Sequence, residues 1–246
     1  MKTKILSLMT VVVLSMTLNA GVVDHDKMFN AYLKGDLATW KKELSSYVAN
    51  PSLTFQDKCD VANYLYGYIG FILDSGAKKA ELEKWMTYLD SYIEEMMKHK
   101  STKSMAHLYK AGSYAFKAKT YKKIVSYGIK SVGELDEALE EDPNNAIAIG
   151  LKGNVKFYAP AIVGGNKKKA LEFYVKAVNI LSKKCPLAYQ WNYWALKLCI
   201  VEAYVGLGEK DKAEAYYKQV MKAKPDFLLL KKSYESGNFG NHETSE

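Results

Sequence analysis

Few side chains in this sequence have the types and spacing that catalysis requires. The stretch from Gly164 to Lys167 is rich in glycine, but it lacks the spacing of a phosphate-binding loop and a preceding strand. We expect a turn there, with Asn166 capping the next helix. The four histidines are dispersed, and none lies in a metal-binding motif or beside a candidate nucleophile: His25, His99, His107 and His242. The sequence therefore predicts a protein that is not an enzyme and uses no cofactor.

The three cysteines offer little scope for a metal site or a disulfide. Cys185 and Cys199 are 14 residues apart in the sequence. A helix that rises ~1.5 Å per residue would separate them by roughly 21 Å, which is too far to bridge. With Cys59 as the third thiol, at most one disulfide could form, and no spacing matches a metal site. We expect Cys199 to be a small buried apolar residue.

The first twenty residues have the composition of a cleavable secretory signal. Lys2 and Lys4 precede an apolar run from Ile5 to Leu18, and the small residue Ala20 follows. The run is shorter than the ~20 residues that a membrane-spanning helix needs. We therefore expect an exported protein, periplasmic or secreted, with cleavage near Ala20 and no transmembrane anchor in the mature chain.

The positive charge of the chain is carried by lysine alone. The formal net charge is +8, and all 35 residues counted as Lys+Arg are lysine. Arginine is the side chain best suited to bidentate recognition of bases and phosphate, so we expect no nucleic acid partner. Attraction to acidic surfaces or anionic lipid headgroups stays open, with scattered solubilising charge as the favoured interpretation.

The segment from Trp194 to Phe227 has the pattern of two helices joined by a turn. This pattern predicts the helices that must position any site. In its second half, apolar residues recur at i, i+4, i+7 and i+8 and so share one helix face: Ala213, Tyr217, Val220 and Met221. We expect Asp211 to cap this helix and Pro225 to end it. The first half is apolar around most of its circumference, so it must be covered on two sides.

This two-helix unit resembles the tetratricopeptide repeat (TPR). An aromatic, a glycine, an alanine, a second aromatic, a small residue and a proline stand at the offsets of that family: Tyr204, Gly208, Ala213, Tyr217, Val220 and Pro225. Val220 replaces the preferred alanine, and Lys197 replaces the preferred tryptophan. The resemblance implies an all-α fold, an α-α superhelix (TPR-like solenoid) of four to five helical hairpins. It also implies a scaffold that binds a protein or peptide partner in its concave groove.

Weaker copies of the unit precede it along the chain. The pattern of Ala170, Tyr174 and Ala177 recurs 43 residues later, inside the unit itself. We expect the other helical pairs over residues 24–33 with 37–47, 55–73 with 77–98, 102–118 with 121–141, and from 146 to a helix over 167–182. The predicted domains are a signal peptide at 1–20, the solenoid at 21–235 and a flexible tail at 236–246.

The loop expected inside the fourth pair carries a second resemblance. Pro160, Gly164-Gly165 and Ala170 form a pattern similar to one in exported bacterial repeat proteins. These include the T-component of the tripartite ATP-independent periplasmic (TRAP) transporters. This resemblance implies the alternative function, a periplasmic accessory protein of a transporter that handles a small organic ligand.

The candidate binding residues lie where the repeat places its concave surface. Gly67, Gly112 and Gly153 align with the glycine in the first helix of the repeat. If this alignment holds, the residues near these glycines line the groove, together with the aromatic residues around the start of the last unit. The predicted partner- or ligand-binding residues are Tyr64, Tyr68, Tyr109, Ser113, Asn154, Trp191, Trp194 and Glu202. In the alternative, these rings pack helix against helix, because 13% of the residues are aromatic and most such rings belong to a core.

Overall fold

The structure of the protein, a computed structural model, describes residues 22–237. Over that range the chain forms eleven α-helices and no β-strand. The helices are α1 (His25–Lys34), α2 (Leu37–Val48), α3 (Phe55–Asp74), α4 (Lys79–Met96), α5 (Lys103–Thr120), α6 (Ile124–Glu141), α7 (Ala146–Tyr158), α8 (Lys167–Lys183), α9 (Gln190–Gly206), α10 (Lys210–Ala223) and α11 (Leu228–Glu235). Three short 3-10 helices lie at Lys100–Thr102, Ala161–Val163 and Leu187–Tyr189. The all-α fold is confirmed.

The first ten helices form five hairpins, which is the upper number predicted. Each hairpin joins two helices by a short turn: α1–α2, α3–α4, α5–α6, α7–α8 and α9–α10. Successive hairpins pack against each other through α2 with α3, α4 with α5, α6 with α7 and α8 with α9, so the chain forms a helical superhelix. The observed helices follow the predicted ranges closely. The largest change is at α6, which begins at Ile124 because the turn before it is longer than expected.

The predicted cap of α8 is confirmed and that of α10 is wrong. Asn166 Oδ1 accepts a hydrogen bond from the backbone N–H of Lys169 at 2.9 Å. Helix α10 begins at Lys210, with Glu209 in the cap position, so Asp211 lies inside the first turn. A carboxylate in that turn still stabilises the helix, because it faces the positive end of the helix dipole.

The two ends of the superhelix close on each other. Helix α1 contacts both α9 and α11. The centroid of the Trp191 ring, at the start of α9, lies 5.8 Å from that of Tyr32 on α1 and 5.7 Å from that of Trp40 on α2. All three side chains are buried. An aromatic core therefore joins the first and last hairpins, where an open solenoid would have a groove.

Glycines on the inner helices make room for this core. A Cβ atom at Gly67 would lie 2.6 Å from the ring of Trp191. A Cβ atom at Gly112 would overlap the ring of Tyr66, which itself contacts Trp191 with a centroid distance of 6.4 Å. The glycines that match the repeat pattern therefore accept rings from neighbouring helices, and the faces that carry them are packed.

Helix α11 was not predicted, and it completes the closure. Phe227, just before it, is fully buried with its ring centroid 5.6 Å from that of Tyr32. Leu230 is also fully buried, and Tyr234 stacks on Tyr217 of α10 with a centroid distance of 4.0 Å. A helix of eight residues is unstable alone, so this one depends on its tertiary contacts.

A buried polar contact holds the last hairpin against α3. Asn63 Nδ2 donates hydrogen bonds to the backbone O of Ala188 at 2.7 Å and to Asn192 Oδ1 at 2.8 Å. All three residues are buried. Because a buried polar group without a partner is costly, this contact fixes the position of α9 relative to α3.

The predicted signal sequence and the predicted tail lie at the two ends of the chain. The predicted signal sequence and its cleavage site near Ala20 fall outside the described residues, and so does most of the predicted tail. Within residues 22–237, no helix combines the length and the apolar content that crossing a bilayer requires.

Candidate functional site

Four of the predicted binding residues lie in the core. The exposed fraction is 0% for Tyr64 and Tyr109, 2% for Tyr68 and 5% for Trp191. Burial raises the pKa of the Tyr64 and Tyr109 hydroxyls well above that of an exposed phenol, so both stay neutral. Closure of the superhelix carries Trp191 across the inner helices and covers the face that an open solenoid would expose. For these four residues the packing alternative is correct, and the predicted open groove is not formed by them.

Two more predicted residues, Trp194 and Ser113, pack against side chains of neighbouring helices. Trp194 is partly buried, with its ring edge-on to Phe227 at a centroid distance of 6.0 Å. Ser113 is buried, and its Oγ donates a hydrogen bond to Asp90 Oδ1 at 2.6 Å. Asp90 Oδ2 accepts a second hydrogen bond, from Lys117 Nζ at 2.6 Å. Ser113 therefore supports the edge of a pocket described below, although it does not line it.

The last two predicted residues join three consecutive helices. Tyr174 OH on α8 donates a hydrogen bond to Asn154 Oδ1 on α7 at 2.8 Å. Tyr158 OH, at the end of α7, donates to Glu202 Oε1 on α9 at 3.1 Å. These bonds fix the fourth hairpin against the fifth. The structure does not bring Asn154 and Glu202 together with the buried tyrosines in one cavity.

An open pocket that the sequence did not predict lies at the turn between α5 and α6. Its volume is about 780 Å³. Its lining residues are Lys79, Tyr114, Lys117, Thr120, Tyr121, Lys122, Lys123, Tyr127 and Lys130. We call it the Lys–Tyr pocket. Cationic and aromatic side chains dominate its wall, and no carboxylate belongs to it.

Three tyrosine rings form one wall of the Lys–Tyr pocket. Tyr114 and Tyr127 are stacked, with centroids 6.0 Å apart and 29° between their planes. The ring of Tyr121 follows at 6.2 Å from that of Tyr127. Burial, together with a 3.1 Å hydrogen bond to Glu83, raises the pKa of the Tyr121 hydroxyl. The Tyr121 ring is therefore neutral.

Lysine amines lie over these rings. Lys79 Nζ is 5.0 Å from the centroid of Tyr121. Lys130 Nζ is 5.7 Å from the centroid of Tyr114 and 5.6 Å from that of Tyr127. At these distances the quadrupole of a ring attracts a cation. The rings therefore hold the amines at the pocket wall.

Three of the five lysines have no counter-ion. Asp90 pairs with Lys117 at 2.6 Å, and Glu83 lies 3.8 Å from Lys79. Among the described residues, no carboxylate comes within 4.0 Å of the amines of the other three, which are Lys122, Lys123 and Lys130. The Lys–Tyr pocket is therefore a region of uncompensated positive charge, suited to an anion.

The backbone at Lys122 is strained. Its φ is 54°, which makes it the one non-glycine residue of positive φ in the described chain. The other four hairpin turns place a glycine in that conformation: Gly35, Gly76, Gly164 and Gly208. A left-handed conformation costs an L-residue about 1–2 kcal/mol, and such strain concentrates at functional sites. We therefore expect the Lys122 side chain to have a role in the Lys–Tyr pocket.

Replacing Lys122 with glycine should leave the fold at least as stable. The strain energy that glycine removes is larger than the free-energy cost of the extra freedom that glycine gives the unfolded chain. The free energy of unfolding should therefore rise by up to about 1 kcal/mol. Urea denaturation measures this change. Lys123, with a φ of −112°, is the matched control, and Lys123→Gly should destabilise. A loss of stability in Lys122→Gly would show that the lysine side chain holds the turn.

A separate face of α6 carries exposed apolar side chains. The exposed fraction is 62% for Ile124, 76% for Val125, 70% for Ile129 and 43% for Val132. Their spacing places them on one side of the helix. Tyr127 and Lys130 line the Lys–Tyr pocket from the opposite side of α6, so this apolar face is a surface separate from the pocket.

A sequence signal for this pocket exists. Lys122 and Lys123 stand where the other hairpins carry glycine in the turn, and Tyr121 and Tyr127 flank them. The residue types in the turn, lysine where the others have glycine, therefore distinguish the third hairpin from the rest.

The described chain gives little support for a metal or redox site. Residues 22–237 contain no group of three His, Cys, Asp or Glu arranged to hold a metal ion. Cys59, Cys185 and Cys199 are free thiols. Burial raises the pKa of the Cys59 and Cys185 thiols to about 11, so neither is a reactive thiolate at neutral pH.

Comparison with known proteins supports the fold class. A scan against protein-family models finds no match, and a search of curated proteins finds none. Among solved structures, the HusA haemophore from Porphyromonas gingivalis is similar, with a TM-score of 0.53. The sequence identity is 18%, and the aligned region covers 76% of this chain and 95% of the haemophore chain. At that identity the likeness shows the fold alone, an all-α helical superhelix.

Proposed function

We propose that this chain is an exported, non-enzymatic binding protein whose Lys–Tyr pocket holds a small organic anion with a flat aromatic body. The observation that carries the proposal is the pocket wall, where three tyrosine rings lie beside five lysines and no carboxylate. This proposal keeps the periplasmic, ligand-handling alternative of the sequence analysis and moves its site from the concave groove to the α5–α6 turn.

Each part of the pocket matches a part of such a ligand. A flat ring can stack on Tyr114 and Tyr127, whose own planes differ by 29°. Carboxylate or phosphate groups of the ligand can pair with Lys122, Lys123 and Lys130. Because these amines have no protein counter-ion, the ligand would supply the missing negative charge without breaking an existing ion pair.

Porphyrins are the first compounds to test. The structural neighbour is described as a haemophore, and haem combines a flat aromatic ring with two carboxylates. The support comes from the pocket chemistry, because a fold shared at 18% identity does not transfer a ligand.

A protein partner is the second candidate, and the exposed face of α6 favours it. Apolar residues that cluster on one side of a surface helix mark interaction sites. The partner would then bind at the third hairpin, because Trp191 and its neighbours fill the interior. On this interpretation, substitutions such as Val125→Lys and Ile129→Lys would abolish partner binding.

Titration with haemin and with metal-free protoporphyrin IX tests the proposal. The Soret band and the quenching of tryptophan fluorescence report binding. We expect saturable binding of both compounds. The variant Tyr114→Ala/Tyr127→Ala should weaken binding about fivefold to 150-fold, since each of the two aromatic contacts contributes about 0.5–1.5 kcal/mol. Lys122→Gly should also weaken it while the fold stays stable.

The matched control removes the other stacked tyrosine pair, Tyr217 and Tyr234, which lies on α10 and α11. Tyr217→Ala/Tyr234→Ala should bind the porphyrins as the unchanged protein does. Equal affinities for the two double variants would place the ligand elsewhere. Absence of saturable binding by the unchanged protein would remove porphyrins and leave the protein partner as the favoured function.

A further inference from the structure

The connection between α7 and α8 presents two apolar side chains to solvent. Ile162 is 93% exposed and Val163 is 70% exposed. They lie in the short 3-10 helix Ala161–Val163, after Pro160. We call residues 160–165 the α7–α8 tip. Side chains this apolar and this exposed are unfavourable in water unless something covers them.

The α7–α8 tip has a fixed shape. The backbone N–H groups of Val163 and Gly165 both donate to the O of Pro160 at 3.0 Å, and Gly164 N–H donates to the O of Ala161 at 3.0 Å. A Cβ atom at Gly165 would overlap the backbone O of Ala159, so this position requires glycine. Because these donors are already paired, the tip could enter a medium of low water content without leaving them unsatisfied.

Lysines surround the α7–α8 tip. Residues 156–169 contain four lysines and no acidic residue. Lys156 Nζ donates to the O of Gly164 at 3.0 Å, and Lys167 Nζ donates to the O of Gly206 at 3.1 Å, so both amines are held in place by neutral groups. Lys169 pairs with Glu172 at 2.8 Å. The base of the tip therefore carries a positive charge that only one carboxylate offsets.

We propose that the α7–α8 tip docks this protein on the surface of a bilayer that contains anionic phospholipid. Ile162 and Val163 would enter the boundary between headgroups and acyl chains, and Lys156, Lys167 and Lys168 would face lipid phosphates. Charge complementarity identifies the occupant, because the amines of Lys156, Lys167 and Lys168 at the base of an apolar tip favour an anionic surface. This function is independent of the Lys–Tyr pocket and of its ligand.

Vesicle sedimentation tests the proposal with the full chain after native processing. The probes are vesicles of phosphatidylcholine alone and vesicles in which phosphatidylglycerol replaces part of it. We expect binding to the anionic vesicles, weakened by added salt. Each lysine removed, as in Lys167→Gln and Lys168→Gln, should lower the partition coefficient about fivefold. Ile162→Ser/Val163→Ser should reduce binding to the level seen with phosphatidylcholine alone.

A matched control removes an exposed isoleucine and an exposed valine from α6. Ile129→Ser/Val132→Ser should bind anionic vesicles as the unchanged protein does. Gly165→Ala keeps every side chain of the tip but distorts its backbone, so it should also bind less. Equal binding of the Ile162→Ser/Val163→Ser variant and the unchanged protein would overturn the proposal. Failure of the unchanged protein to bind protein-free anionic vesicles would do the same, and would point to a protein receptor.

Discussion

Replacing Trp191 with alanine is expected to lower the free energy of unfolding by about 3–5 kcal/mol. The side chain is 5% exposed and contacts rings from three other helices, which include Tyr32, Trp40 and Tyr66. Its removal leaves a cavity between the first and last hairpins, where rigid helices cannot collapse to fill it. Urea denaturation followed by circular dichroism measures the loss.

Two controls separate closure from general truncation. The indole Nε1 of Trp191 has no hydrogen-bond partner among the described residues. Trp191→Phe therefore loses volume but no hydrogen bond, and it should cost less than Trp191→Ala. Trp194→Ala removes a partly buried ring and should have a clearly smaller effect. Equal, small losses at both positions would show that the ends of the superhelix are open and that a groove exists at Trp191.

Replacing Asn63 with aspartate should destabilise the protein by a similar amount at neutral pH, about 3–5 kcal/mol. Asn63 Nδ2 donates two hydrogen bonds, to the backbone O of Ala188 and to Asn192 Oδ1. An ionised aspartate would face two acceptors with no donor, in a position that is 0% exposed. Differential scanning calorimetry or chemical denaturation across pH measures the effect.

The loss from Asn63→Asp should depend on pH with a defined sign. Burial raises the folded pKa of such a carboxyl above its unfolded value of about 3.9. The loss is therefore smallest below pH of about 3.9 and grows as the pH rises from there through the folded pKa. Asn63→Ala is the control, because it leaves two acceptors unpaired at a cost of about 1–3 kcal/mol that does not vary with pH. A pH-independent loss in Asn63→Asp would mean that the side chain reaches solvent.

Closure changes where a ligand or partner can bind. In an open helical solenoid the inner helices face a groove, but here α9 and α11 contact α1. The surfaces that remain free are the hairpin turns and the outer helix faces. Both proposed sites lie there, at the α5–α6 turn and at the α7–α8 tip.

Much of the fold was predictable because it depends on local signals. Apolar residues at helical spacing indicated ten of the eleven helices. The turns between the helices of three hairpins contain Gly35, Gly76 and Gly208, each with a positive φ. Asn166 was identified as a cap from its position alone. By contrast α11 was missed, although Leu and Lys favour helices. Its eight residues are too few to show a helical period, and they follow Pro225, where the preceding helix was expected to end.

The candidate site was predicted less well, for a reason that lies in long-range packing. The pattern around Gly67 and Gly112 identified inner helix faces correctly but not what would cover them. Trp191 fills the space at Gly67, and Tyr66 fills the space at Gly112. A glycine beside aromatic residues has the same local pattern whether it faces a groove or a ring from a distant helix.

The sequence by itself determined the helices, their pairing into hairpins and the lysine-only positive charge, because these depend on residues near each other in the chain. Only the tertiary structure decided that the superhelix closes, since Trp191 and Tyr32 meet across most of the chain. It also decided that Tyr114, Tyr127 and Lys130 share one pocket. Such contacts depend on the angle at which each hairpin packs on the next, and that angle follows from the shapes of all the buried side chains together.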